Sequence, residues 1–225
     1  MHDTSALRVV TVFLGPGDTG GNLLGVLTEA SGLDQRRRQT IAADLGYAET
    51  VFLEDAASGA LRIHTPEEEL PLAGHPLVGT SWLLGDRCPS ELNPPAGPVP
   101  TWNEGAITWI RADPASAPSY DIRQLPTPDD VDAVADGVSE SKLHVWAWED
   151  EEAGQVRARV FPVVGGTRED EATGSAALRL GALLGRPLAV RQGTGSRIDL
   201  RPGPDGLVDV GGRCALVETR DHPLS

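Results

Sequence analysis

Two stretches of this chain, a hundred residues apart, follow one pattern. In the first, Gly74-His75 precedes an apolar run ending at Leu83-Leu84-Gly85; in the second, Gly174-Ser175 precedes one ending at Leu183-Leu184-Gly185. Ahead of each lies a β-branched strand leading to a proline, Pro66 or Pro162. An acidic loop follows, holding Glu67 to Glu69 in one case and Glu169 to Glu171 in the other. Each stretch reads as strand, loop, helix, and the recurrence predicts two related lobes. A glycine just before a helix lets the backbone approach a ligand closely. The first turn of that helix has unpaired N–H groups and a partial positive charge. Each unit is therefore suited to a carboxylate or oxyanion. Two such units facing one another would flank a cleft.

The remaining composition narrows what such a cleft would hold. The 225 residues suit one large domain or two small ones. A formal net charge of −14 repels phosphate backbones and anionic lipid, which argues against nucleic acid and membrane surfaces as partners. A small-molecule carboxylate would need local donors to enter against that field. No apolar stretch approaches the length of a membrane span, and "MHDTSALRVV" lacks a basic region followed by an apolar core, so the expected compartment is the cytoplasm. Cys88 and Cys214 have no CxxC spacing, and His2, His64, His75, His144 and His222 are scattered, so neither a disulfide framework nor a metal site is expected.

Along the chain, "RVVTVFL" (8–14) and "LLGVLTEA" (23–30) predict strands around the glycine-rich turn "GPGDTGGN". "DQRRRQTIAADLGY" predicts a helix with Asp34 or Ser31 as cap and a stop at Leu45-Gly46. Strands follow at "AETVFLED" and "ALRIHTP", then an apolar helix over 77–84. Residues 88–100 contain five prolines and predict a linker. The organisation expected is an N-terminal lobe at 1–93, a C-terminal lobe at 100–215 and a tail at 216–225. In the second lobe "AITWIRA", "LHVWAWED" and "QVRARVFPV" predict strands, "TPDDVDAVADG" a short helix, "GGTREDEATGS" a loop and 176–184 an apolar helix. The end of the chain predicts strands joined by turns at "PGPDG" and "GG".

"GGN" at 20–22, "AETVFL" at 48–53, "LAGHPLVGT" at 72–80, "EDEATGSAA" at 169–177 and "RQG" at 191–193 occur in that order. Together they resemble the PhzF-like family, the phenazine-biosynthesis-type isomerases, from about residue 8 to about residue 215. The resemblance implies an α+β, diaminopimelate epimerase-like fold of two pseudo-symmetric lobes. Each lobe would be a mostly antiparallel, barrel-like sheet wrapped around a central helix. It also implies a homodimer and chemistry without a cofactor, moving a proton within a small cyclic carboxylate. Position by position, it makes Glu49 the proton-transferring glutamate and His75 a histidine that contacts substrate and helps the proton move. Asp170 and Ser175 become the acidic and hydroxyl partners. Gly74, Thr173, Gly174 and Asn22 would bind substrate, with the Gly174 and Ser175 N–H groups receiving its carboxylate.

The chemistry of these residues is compatible. Moving a proton between carbons needs a base beside the acidic carbon and stabilisation of the charge that develops. Glu49 stands among Ala48, Val51 and Phe52, a setting that can shelter a carboxylate. Read singly, each residue has a plainer role: Glu49 a solvent-facing strand residue, His75 a turn or core histidine, Asp170 part of a solvated acidic loop, Ser175 a helix cap. Fold relatives that racemise amino acids use two thiols, one at the start of each central helix. Here those positions are His75 and Ser175, which disfavours a two-thiol epimerase. The sequence also departs from the family pattern. Glu171 replaces a usual proline and puts a negative charge beside the expected anion site, and "TGSRIDL" follows Gln192-Gly193. These departures leave two alternatives to an isomerase: a non-catalytic binder of small anions, or a partner-binding protein with a vestigial cleft.

Overall fold

The computed structural model describes residues 4–135, 141–163 and 169–224. The chain forms two compact units. The first comprises Met1–Val12, Asn22–Ile110 and Cys214–Ser225; the second comprises Phe13–Gly21 and Arg111–Arg213. The class is α+β.

In chain order the first unit contains β1 (Thr4–Leu14), β2 (Asn22–Leu27), α1 (Gln35–Leu45), β3 (Glu49–Asp55), β4 (Ala60–His64) and β5 (Glu69–Leu70). It continues with α2 (Gly74–Leu84), β6 (Glu91–Leu92), β7 (Val99–Glu104) and β8 (Ile107–Ala112); the ends of β1 and β8 run on into the second unit. The strand order is β5-β4-β3-β2-β1, antiparallel except for the parallel pair β2–β3. Asp34 caps α1, its Oδ1 accepting from the Arg37 N–H at 2.7 Å, and Gly46 closes the helix at φ 67°. Ile41 and Ala42 of α1 pack on Leu7, Val9, Leu27 and Phe52.

Helix α2 is buried on nearly every side, with Leu77 and Val78 fully enclosed. A helix apolar all round belongs in a core, and each such side chain contributes about 1.5–3 kcal/mol. It starts at Gly74 rather than 77, because Pro76 falls in the first turn, where a missing N–H costs nothing. A Cβ on Gly79 would lie 2.6 Å from Leu24 Cδ2 and 2.7 Å from Val12 Cγ2, so glycine is what lets α2 sit directly on β1 and β2.

The proline-rich stretch is a hairpin, not a linker. Glu91 pairs with Pro100 and Leu92 with Val99, and β7 then pairs with β8. Proline is tolerated here because the strands are short and the pair is peripheral. The unit boundary accordingly falls at Ile110/Arg111.

The second unit contains β9 (Asp121–Gln124), α3 (Pro128–Asp132), β10 (Leu143–Asp150), β11 (Gln155–Phe161), α4 (Gly174–Leu184), β12 (Leu188–Gln192) and β13 (Ser196–Pro202). Its last strand, β14 (Val208–Pro223), passes into the first unit at Cys214. The order is β9-β10-β11-β12-β13-β14, with β9–β10 and β11–β12 parallel. Helix α4 buries one face, Ala176, Ala177, Leu178, Leu180 and Gly181, and exposes Leu183. Gly211-Gly212 makes no turn. A Cβ on Gly212 would sit 2.4 Å from Phe13 Cδ1, so this glycine marks a close approach inside a continuous strand. Residues 216–223, expected as a tail, continue β14, and the Arg8 guanidinium donates to Thr219 Oγ1 at 2.8 Å. Residues 136–140 and 164–168, within the expected short helix and the expected turn-rich loop, lie outside the described residues.

Candidate functional site

Four of the eight residues singled out by sequence fall in the first unit. Glu49 opens β3, and His75 is the second residue of α2. The structure joins them: His75 Nδ1 and Glu49 Oε2 are 2.9 Å apart. With Glu49 ionised, Nδ1–H donates to the carboxylate; with Glu49 protonated, the carboxyl donates to Nδ1. The histidine side chain is 4% exposed and the glutamate 21%. The carboxylate is thus the member of the pair that meets solvent, and the imidazole stands behind it. Gly74 is the first residue of α2. Asn22, 9% exposed, begins β2 two residues before Leu24, the register partner of Glu49, so Asn22 and Glu49 lie at the same end of neighbouring parallel strands.

The other four fall in the second unit, around the start of α4. Thr173 is the N-cap residue, so Ser175 is not the cap but the second helical residue. Thr173 Oγ1 does not cap the helix either. It donates to Asp170 Oδ2 at 2.6 Å, while Gln192 Nε2 donates to Asp170 O at 2.8 Å and to Thr173 Oγ1 at 3.0 Å. Asp170 therefore holds the loop that sets the helix start. Helices α1 and α3 are capped by the side chains of Asp34 and Thr127; α2 and α4 begin at Ala73 and Thr173 with no side-chain cap. Their first-turn N–H groups keep their capacity for an anion.

Sequence reasoning missed two residues beside Ser175. Tyr120 OH lies 2.9 Å from Ser175 Oγ, and His144 meets the Tyr120 ring edge-on, with centroids 6.5 Å apart. Burial pushes the His144 imidazole down to about 4, against an opposing pull from the backbone of Ala176. Tyr120 gave no signal within a polar stretch. His144 had one, as a lone ring nitrogen residue in the apolar strand "LHVWAW".

Glu171 does not aim its charge at the helix start. Its carboxylate accepts from Thr194 N and Thr194 Oγ1 at 3.0 Å and from Ser196 Oγ at 2.7 Å. Ser196 Oγ in turn accepts from the Gly21 N–H at 2.7 Å. A Cβ on Gly20 would lie 2.8 Å from Glu171 Oε1. The glutamate that replaces proline thus clamps the 192–196 turn to the glycine loop at 20–21. The thiols are also accounted for. Cys88 lies beyond the C-terminal end of α2, where burial raises its pKa and its thiol contacts Ser81 Oγ at 3.6 Å. Neither cysteine stands at the start of α2 or α4.

Residues 16–108, which include the Glu49–His75 pair, match the family model described as phenazine biosynthesis-like protein. That stretch of the chain is similar to PhzF-like proteins. An uncharacterized isomerase of Pasteurella multocida (strain Pm70) is 45% identical over 69 residues, 29% of this chain and 24% of that protein. A trans-2,3-dihydro-3-hydroxyanthranilate isomerase of Pseudomonas chlororaphis is 40% identical over 68 residues, again 29% of this chain and 24% of that protein. The matched stretch thus spans about a quarter of each of these relatives. The fold likeness is far wider. A PhzC/PhzF protein of Clostridium difficile (strain 630) superimposes with a TM-score of 0.76 at 17% identity, covering 96% of this chain and 98% of that one. A hydroxyproline epimerase of Agrobacterium vitis gives 0.62 at 13% identity, with 99% and 93% covered. PhzF proteins and the epimerases of that type share this α+β fold. No described helix is long and apolar enough to cross a membrane.

Proposed function

We propose that this PhzF-like chain is an isomerase that moves a proton within a small cyclic or amino carboxylate, without a cofactor, using Glu49 as the acid and base. The observation that carries the reading is the Glu49–His75 pair: a partly open carboxylate hydrogen-bonded to a buried imidazole at the start of an uncapped helix. Glu49 takes a proton from an acidic C–H of the substrate, the electron pair moves into the adjacent π system, and the same carboxyl returns a proton at another carbon. His75 holds the carboxylate in one orientation and shares its proton. Within the second unit, the uncapped start of α4, with Gly174, Ser175 and Thr173, presents donors suited to a carboxylate. Asp170 holds the loop that leads into that helix. Proteins named as isomerases stand among the relatives that match part of the chain.

Glu171 and a shortened second lobe speak for the second reading, a non-catalytic anion binder; of these, the Glu171 carboxylate accepts hydrogen bonds from Thr194 and Ser196. Those bonds direct the charge of Glu171 towards the 192–196 turn and weaken the electrostatic argument against an anionic substrate. The test is deuterium incorporation in D₂O from trans-2,3-dihydro-3-hydroxyanthranilate and a panel of cyclic amino carboxylates. We expect exchange by the wild-type chain and a loss of about a thousandfold or more in Glu49→Gln. Equal exchange by both proteins, or binding with no exchange of any compound, would overturn the reading.

A further inference from the structure

The start of α4 carries an assembly that goes beyond an anion-binding helix end. Ser175 and Arg179 are four residues apart, so they lie on one face of α4. Both reach the same loop. The Arg179 guanidinium donates to the carbonyls of Ala117 and Pro118, and Ser175 Oγ meets Tyr120 OH at 2.9 Å. The short turn Pro114–Ser116 leads into the loop and is closed by Asp113, whose Oδ1 accepts from the Ala115 N–H at 2.8 Å. Behind Tyr120, His144 is 1% exposed and packs against the phenol ring edge-on. Arg179 thus ties the loop to α4 and His144 packs on the ring, with the phenolic oxygen against the Ser175 hydroxyl.

A serine hydroxyl has one proton and rotates freely. If the phenol donates to Oγ, the serine proton is turned away from Tyr120 and becomes a better donor, because hydrogen bonds in a chain polarise one another. We propose that Tyr120, clamped to α4 by Arg179, is a positioning residue that donates to Ser175 and so directs the Ser175 O–H at the substrate carboxylate. The inference rests on the function proposed above and adds to it a residue that the motifs do not contain.

The experiment is a double-mutant cycle read by calorimetric binding of anthranilate, used as a stable amino carboxylate, to the full chain. Tyr120→Phe removes one oxygen and keeps the ring on His144, so its melting temperature should stay within a few degrees of wild type. We expect Tyr120→Phe to weaken anthranilate about fivefold when Ser175 is present and to have no effect in a Ser175→Ala background. In the exchange assay KM should rise while kcat holds. Arg179→Met releases the loop by a separate route and should give part of the same loss, again only with Ser175 present; it serves as the reporter if Tyr120→Phe fails to fold. Wild-type affinity in Tyr120→Phe, or an equal loss with and without Ser175, would overturn the role of Tyr120 alone. Absence of anthranilate binding and of exchange by the wild-type chain would instead sink the function on which it rests.

Discussion

The two helices that the repeat predicted share a backbone plan and differ in what they do with it. Both begin with glycine, both run eleven residues, and neither is capped by a side chain. At α2 the second residue is a histidine bonded to a carboxylate. At α4 the second residue is a serine bonded to a phenol, and the nearby imidazole is kept neutral by burial. One helix start carries an imidazole–carboxylate pair, and the other a pair of hydroxyls. Burial follows the same contrast: α2 is enclosed, while α4 keeps one face open.

The contrast can be tested at its strongest point first. His75→Gln keeps a hydrogen bond to Glu49 but cannot carry a proton, and we expect it to slow deuterium exchange about a thousandfold. Ser175→Ala should act mainly on substrate affinity. If His75→Gln also changed affinity alone, the two helix starts would be equivalent and the contrast would fail.

The neutral imidazole gives the next effect. His144 titrates at about 4 when folded and near the ordinary 6.5 when unfolded. Between those values the unfolded chain binds the extra proton, so stability falls as pH drops from about 6.5 to about 4. The loss attributable to His144 is on the order of 3 kcal/mol. His64 is also pushed down by burial and acts in the same direction, so the measurement is the difference between wild type and His144→Phe in urea unfolding at pH 7 and 4.5. A variant with the same acid slope as wild type would remove His144 from the account.

Packing offers a smaller comparison. Gly79→Ala in α2 would force Leu24 and Val12 apart, costing about 2 kcal/mol. Gly181→Ala in α4 meets Val208 Cγ1 at 3.0 Å, with Leu200 next at 3.5 Å. Its strain is offset by alanine's better helix propensity, so we expect a change below about 1 kcal/mol. Thermal unfolding of the two variants ranks them, and equal losses would mean that α4 is as tightly enclosed as α2. The least effect belongs to Glu171→Gln, which keeps the shape of the clamp and weakens its charge-assisted bonds by about 1 kcal/mol. Anthranilate affinity should stay within about twofold of wild type; a large gain on removing the charge would mean that Glu171 acts on the anion site after all.

Much of this was readable from local chemistry. Asp34 and Gly46 bounded α1 because capping and the left-handed stop are local events. The two glycine-led helices were visible for the same reason. What was not readable depends on neighbours distant in sequence. Prolines 94, 95, 98 and 100 look like a linker until β7 is seen to pair on both sides. Gly212 looks like a turn until Phe13 is seen to press on it. At the site, Glu49 and His75 were legible as motif members, whereas their hydrogen bond needed the placement of β3 beside α2. Ser175 looked like a cap until Thr173 took that position. Tyr120 meets Ser175 across 55 positions, and nothing near Tyr120 in the chain announces it.

The interleaving of the two units bears on how the chain is made. The first unit draws on three segments and the second on two, so the path changes unit at 12/13, 21/22, 110/111 and 213/214. No single cut releases either unit as one continuous piece. During synthesis β1 emerges early, yet its partner in the C-terminal half of β14 leaves the ribosome some two hundred residues later. The first unit must therefore wait with an open strand edge while the second is being made. Such an edge is a liability for unintended pairing, and the long delay places the cost of this fold in its assembly rather than in its finished stability.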